Sequence, residues 1–224
     1  MSGEDAGPRI VLASASPRRA DILSQLGVAF EVRPAGVDES IKDGEEPGRY
    51  VERLARAKAS FVAGCESTSA GETGAKGRPL LVIGGDTAVV HCGRILGKPA
   101  SSEEAVDMLS ALAGGSHEVL TAVAVFEADG DRLLAASTTV SSVVRFRAFD
   151  RRFAREYVAT REPMDKAGAY GVQKLGAAVV ERIEGDFYSV MGLPVAALLS
   201  LLERLGWRYD FTALVRAQAR RSER

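Results

Sequence analysis

Two serines and two arginines, Ser14, Ser16, Arg18 and Arg19, lie together in the segment SASPRR, directly after the apolar run Ile10-Val11-Leu12-Ala13. Ile22, Leu23 and Leu26 follow at helical spacing, so the segment reads as strand, turn and helix. Ser16 stands at the N-cap, Pro17 at the first helical position and Gly27 at the stop. Arg18 and Arg19 then occupy the first turn, beside the positive end of the macrodipole and the unpaired backbone N–H groups. Cations are misplaced there unless an anion joins them. Hydroxyls, free amides and guanidiniums converging after a strand make a phosphate site. An exposed, solvated pair offset by Asp21 is the other reading of the same residues.

Four further groups carry chemistry. Asp38-Glu39 opens a loop, and Asp86-Thr87 follows two glycines at the end of an apolar run. Lys98 stands in Gly97-Lys98-Pro99, and Lys58 sits inside a helical pattern. Lys58 lies four residues after Leu54 and seven after Val51, which puts it on the apolar face. Its stem can pack there while the amine snorkels out, or the amine reaches an anion in a cleft. The second reading is favoured because Arg49, Glu52, Arg53 and Arg56 already line the polar face. Carboxylates and several cations in one cleft suit phosphoryl chemistry. Cations neutralise phosphates, carboxylates hold a divalent metal through oxygen, and one carboxylate activates water. Each carboxylate taken singly also fits a turn or cap.

The elements that must position these groups mix strands and helices without a strict βαβ rhythm. A strand is expected over Val28 to Val32, and a helix from about Pro47 to Ala63. A Gly/Ser/Thr-rich surface insertion should fill Gly64 to Pro79. Leu80 to Ile83 reads as a buried strand running into Gly84-Gly85-Asp86, where backbone can approach closely. Ser101-x-x-Glu104 is a capping box opening a helix with Ala105, Met108, Leu109 and Leu112 on one face. Strands over about His117 to Glu127 and Leu133 to Arg147 flank the hairpin signal Asp129-Gly130. Asp150 caps a short helix, Ala177 to Ile183 forms a strand, and a last helix runs over Val195 to Leu205. No G-x-G-x-x-G is present, so a mixed sheet is expected rather than a dinucleotide-binding arrangement.

With 224 residues, 46% of them hydrophobic, the chain can bury one good core. No apolar run approaches the roughly 20 residues of a membrane span. The polar opening lacks a signal peptide's regions, so a cytoplasmic location is expected. Cys65 and Cys92 stand without metal-ligand spacing and read as free thiols. A net charge of −1 argues against nucleic-acid binding, and the basic end Arg216 to Arg224 reads as a solvated helix end. Only His91 and His117 are present, so acid–base work falls to carboxylates.

Together, SASPRR, VDES, LARAKA around Lys58, GGDT, LGKP, DKAGAYGVQ and GDFYSVMGLP resemble, in order and spacing, the Maf family of nucleoside triphosphate pyrophosphatases, over about Ile10 to Leu205. The resemblance implies an α/β fold of the inosine triphosphatase-like (Maf/Ham) kind. That fold has an elongated mixed sheet flanked by helices and a cleft between two lobes, here over residues 9–206. Residues 1–8 would be a disordered extension and 207–224 a C-terminal one. The implied reaction is cleavage between the α- and β-phosphates, with Mg²⁺ or another divalent cation such as Mn²⁺, in a homodimer without nucleic-acid or membrane partners.

By position, Asp86 matches the family's catalytic base. Lys58 and Lys98 match catalytic cations, Glu39 with Asp86 the metal-handling carboxylates, and Ser14, Ser16 and Arg19 the phosphate-handling groups. Arg18, Thr87 and Gln173 match the three positions that separate the branch acting on dTTP and UTP, with modified uridine triphosphates, from the branch acting on 7-methyl-GTP. This chain has the pyrimidine set. A glutamine amide and a threonine hydroxyl can meet the N3–H and carbonyls of uracil or thymine. Lys174 replaces the usual Gly after Gln173, and Gly85 the usual Ala or Ser. The alternatives are a purine or 7-methyl-GTP pyrophosphatase and a nucleotide-binding cell-division regulator without significant catalysis.

Overall fold

The computed structural model describes residues 7–73, 78–129 and 132–217, except the side chains of 67–73, 129 and 132. Its centre is a mixed sheet of seven strands: β1 (Arg9–Leu12), β2 (Glu31–Val32), β3 (Leu80–His91), β4 (Arg94–Leu96), β5 (Ser116–Asp129), β6 (Arg132–Phe146) and β7 (Val180–Glu184). The order is β2-β1-β3-β5-β6-β7, with β4 also on β3. β1 pairs parallel with β2 and β3, and every other pairing is antiparallel. The β5–β6 ribbon is paired as far as Asp129↔Arg132; Gly130 of the Asp129-Gly130 signal lies outside the described residues. This is the mixed sheet expected, with helices against it.

Helices cover the sheet because each carries one apolar stripe. α1 (Pro17–Gln25) buries Ile22 and Leu23. α2 (Pro47–Thr73) buries Val51, Ala55, Ala59 and Val62 against β3 and β5, and Leu54 is buried too. α3 (Ser102–Leu112) and α4 (Arg151–Ala159) pack as a third cluster with Val144, Phe146 and Tyr170. The capping signals hold. Ser101 accepts the Glu104 amide, and Asp150 accepts that of Phe153. Glu104 reaches back to the amide of Ala100. After three short 3-10 turns between Glu162 and Ala178 come α5 (Phe187–Met191) and α6 (Val195–Arg204).

Four boundaries differ from the sequence reading. β2 spans only Glu31–Val32, and β7 starts at Val180, with a 3-10 turn over Lys174–Ala178 before it. α2 does not stop near Ala63. It continues into the expected insertion as far as Thr73, and Glu66 ties the extension to the sheet through Arg9 at 2.6 Å; residues 74–77 lie outside the described ones. Residues 207–217 are not helical; of the basic end Arg216 to Arg224 read as a solvated helix end, Arg216 lies in a strand and 218–224 lie outside the described residues. Trp207–Tyr209 and Leu214–Arg216 form a two-stranded ribbon, β8 and β9, whose Trp207 and Leu214 join the core beside Leu198 and Leu202. At the other end, Arg78 donates to the carbonyls of Gly7 and Pro8, while 1–6 and 218–224 lie outside the described residues. No described helix is long and apolar enough to cross a membrane.

Candidate active site

A cleft of about 760 Å³ opens where the C-terminal end of β1, the middle of β3 and the turns after α4 face one another. Ten of the residues singled out from the sequence line it: Ser14, Ser16, Arg18, Arg19, Glu39, Lys58, Asp86, Thr87, Lys98 and Gln173. Asp38 does not. Its carboxylate closes its own turn by accepting the amide and the hydroxyl of Ser40, both at 2.9 Å.

The innermost group is a lysine held between two carboxylates. Lys58 Nζ lies 2.7 Å from Asp86 Oδ1 and 2.7 Å from Glu39 Oε1. Lys58 is 8% exposed and Asp86 7%, whereas the Glu39 side chain is 58% exposed. The lysine therefore does not snorkel. Its place depends on Gly84: a Cβ there would fall 2.2 Å from the Ala55 carbonyl oxygen, so only glycine lets α2 lie this close on β3. Burial pushes the Asp86 carboxyl above its ordinary value, against the opposing pull of Lys58 and Arg19. Tyr50, two helical turns before Lys58 on the same face, donates to the Glu39 carbonyl at 3.1 Å and so fixes the loop that presents Glu39. Arg53 holds the same loop through Ser40 and Glu45.

The two arginines of the first turn part company. Arg18 stays at the rim, 3.8 Å from Asp165. Arg19 turns inward and is buried, donating from Nε to the Gly192 carbonyl at 2.7 Å, from Nη1 to Ser14 Oγ at 3.1 Å and from Nη2 to Thr87 Oγ1 at 3.1 Å. Burial lowers its pKa, yet a guanidinium stays charged, and three of its five N–H groups are satisfied by protein, leaving two. Gly85 makes room for it, since a Cβ there would meet Arg19 Nε at 3.1 Å. Ser16 occupies the cap position, but its hydroxyl makes no capping bond; the first amides of α1 thus remain available to an anion. Lys98 and Gln173 are exposed on the cleft wall.

A family model described as Maf-like protein matches residues 9–205. The chain belongs to the Maf family. Three similar proteins are each named dTTP/UTP pyrophosphatase. That of Pelotomaculum thermopropionicum is 46% identical over 198 residues, 88% of this chain and 97% of the relative. That of an Anaeromyxobacter species is 47% identical over 199 residues, 88% and 90%. That of Hahella chejuensis is 42% identical over 206 residues, 92% and 96%.

Within this Maf chain, Lys174 adopts φ +53°, the left-handed conformation that favours glycine; a lysine there carries the backbone strain that a glycine would not. The turn it opens is held by Glu162, whose carboxylate accepts the amides of Leu175 and Gly176 at 3.2 and 3.0 Å and the Tyr157 hydroxyl at 3.1 Å. Glu162 and Tyr50 also line the Maf cleft and were not found from the sequence; Asp165 and Lys166, which open the DKAGAYGVQ motif, line it too but were given no role there. Tyr50 was detectable, because Tyr50, Leu54 and Lys58 repeat every four residues. Glu162 was not, because its partners lie across irregular turns.

Proposed function

We propose that this Maf protein hydrolyses dTTP and UTP, together with modified uridine triphosphates, to the nucleoside monophosphate and pyrophosphate, and so clears unwanted nucleotides. The observation that carries this reading is the meeting of Lys58, Asp86 and Glu39 in a cation-lined cleft, in a chain 42–47% identical to proteins named for that activity.

In this reading Asp86 takes the proton of a water attacking the α-phosphorus. A carboxylate raised by burial is a stronger base than an exposed one, and ionisation is kept within reach by Lys58. Arg18, the two remaining N–H groups of Arg19, Lys58 and Lys98 stabilise charge developing on the departing pyrophosphate. Glu39 and the second oxygen of Asp86 are hard oxygen donors, fitting Mg²⁺ or Mn²⁺, which typically take one or two carboxylates and complete their shell with water and substrate phosphates. Among the described residues no group of three or more acidic, histidine or cysteine side chains could hold a metal without substrate. Bound there, the cation would supply charge neutralisation for the triphosphate. Arg18, Thr87 and Gln173 read the pyrimidine edge. A cytoplasmic location, where nucleoside triphosphates are held, and a homodimer, suggested by the family resemblance, complete the reading.

The test is a panel of dTTP, UTP, ATP, GTP and 7-methyl-GTP with Mg²⁺, scored for pyrophosphate against orthophosphate. Higher kcat/KM on dTTP and UTP, with pyrophosphate as product, is expected. Equal or greater efficiency on 7-methyl-GTP overturns the base assignment, and orthophosphate as the first product overturns the bond assignment.

A further inference from the structure

The hydroxyl of Thr87 is one link in a chain whose ends fix its direction. Arg19 Nη2 donates to Thr87 Oγ1 at 3.1 Å, Thr87 Oγ1 lies 3.0 Å from Thr121 Oγ1, and Thr121 Oγ1 lies 2.7 Å from the carbonyl oxygen of Ser189. A guanidinium only donates, a carbonyl only accepts, and each hydroxyl has a single proton. Thr121 is 0% exposed, on β5. At 2.7 Å its proton must lie toward the Ser189 carbonyl. Otherwise two oxygens with no proton between them would face each other at 2.7 Å; the carbonyl has none to give, and although it also accepts the Gly192 amide at 2.9 Å it keeps a second lone pair for the hydroxyl. Thr121 then has no proton for Thr87. The contact between the threonines is made by the proton of Thr87, directed away from the cleft.

We infer that Thr121, which does not itself line the cleft, is a specificity-determining positioning residue: it takes up the Thr87 proton, so that Thr87 offers the nucleobase a lone pair and no donor. This rests on the pyrimidine triphosphate reading above and goes beyond it. Uracil and thymine carry an N3–H donor, whereas cytosine has a lone pair at N3. A fixed acceptor pairs with the first and repels the second. Gln173 cannot make that distinction alone, because its amide carries both donor and acceptor and can turn over. Discrimination of UTP from CTP therefore depends on a hydroxyl behind the binding wall.

The experiment compares kcat/KM for UTP and CTP. Thr121→Val keeps the shape but frees the Thr87 proton to turn toward the cleft. The UTP-to-CTP ratio should fall about tenfold, the scale of one hydrogen bond gained or lost at a reading site, with CTP efficiency rising. Thr121→Ser, whose hydroxyl can meet the same two partners, should restore the wild-type ratio. In a Thr87→Val background, Thr121→Val should leave the ratio unmoved, because the residue acts only through Thr87. A ratio unchanged in Thr121→Val, or an equal proportional loss on both nucleotides, overturns the inference while the pyrimidine reading stands. Where Thr121→Val does not fold, Thr121→Ala is read by the same criteria, and a folded Thr121→Ser that loses the ratio overturns it too. A wild type that turns over neither UTP nor dTTP overturns the pyrimidine reading and this inference together.

Discussion

Two buried carboxylates stand on neighbouring central strands of the sheet, each paired with one cation, and they differ in what surrounds them. Asp86 on β3 meets Lys58 at 2.7 Å beside a cleft of about 760 Å³, with a second carboxylate on the same amine. Glu127 on β5, 2% exposed, meets Arg216 at 2.5 Å, and that guanidinium lies 4.1 Å over the Trp207 ring at the closed end where β8 and β9 join the core. A buried ion pair is thus no sign of function by itself. The pair that opens on a cleft, with a carboxylate oxygen left over, can do chemistry. The pair stacked on an aromatic ring away from the cleft can only fasten a chain segment, and removing one partner of such a pair leaves the buried carboxylate uncompensated.

Breaking each pair should give opposite signatures. Asp86→Asn removes the base but keeps the shape, so kcat/KM for UTP should fall roughly 10²-fold or more while the melting temperature holds; near-wild-type turnover would remove Asp86 from the mechanism. Lys58→Met should lower activity steeply and, unlike Asp86→Asn, destabilise the fold by up to about 3 kcal/mol at neutral pH, since Asp86 is left buried without its cation. Folding raises the Asp86 pKa, so its ionisation costs stability. The cost is absent below the ordinary carboxylate value and grows as pH rises through the folded one. The Lys58→Met deficit should accordingly shrink on acidification, which denaturant melts at several pH values will show. The same raised pKa predicts an acid limb of kcat/KM above the ordinary aspartate range, moved higher still in Lys58→Met.

At the closed end the expectation reverses. Arg216→Ala should cost about 2 kcal/mol, less than a fully buried pair because the arginine side chain is 42% exposed, with kcat/KM for UTP unchanged. A loss of activity in a folded Arg216→Ala would mean that the two ends of the sheet are coupled. The smallest effect should be Lys174→Gly. It relieves the left-handed strain but loosens the unfolded chain, for a net gain of roughly 0.5 kcal/mol in thermal or denaturant melts. A loss of stability instead would show that the Lys174 side chain is worth more than the strain it imposes.

Local patterns in the sequence were enough to place the cleft's residue types on the right elements. Pro17 and Gly27 bounded α1, helical spacing put Lys58 on the apolar face of α2, and Gly84-Gly85 marked the close approach before Asp86. Such signals depend on neighbours three to eight residues apart, so one chain suffices to read them. The tertiary structure decided the rest. Lys58 divides its amine between Glu39 and Asp86, Arg19 turns inward to a carbonyl 173 residues away, and Thr121 orients a hydroxyl whose own chemistry is symmetric. It also extended α2 past Ala63 through Glu66 and drew Trp207 into the core. Each of these is a contact between distant segments in which several partners were chemically acceptable, and the donor-acceptor choice follows from which of them the packed sheet brings within hydrogen-bond distance.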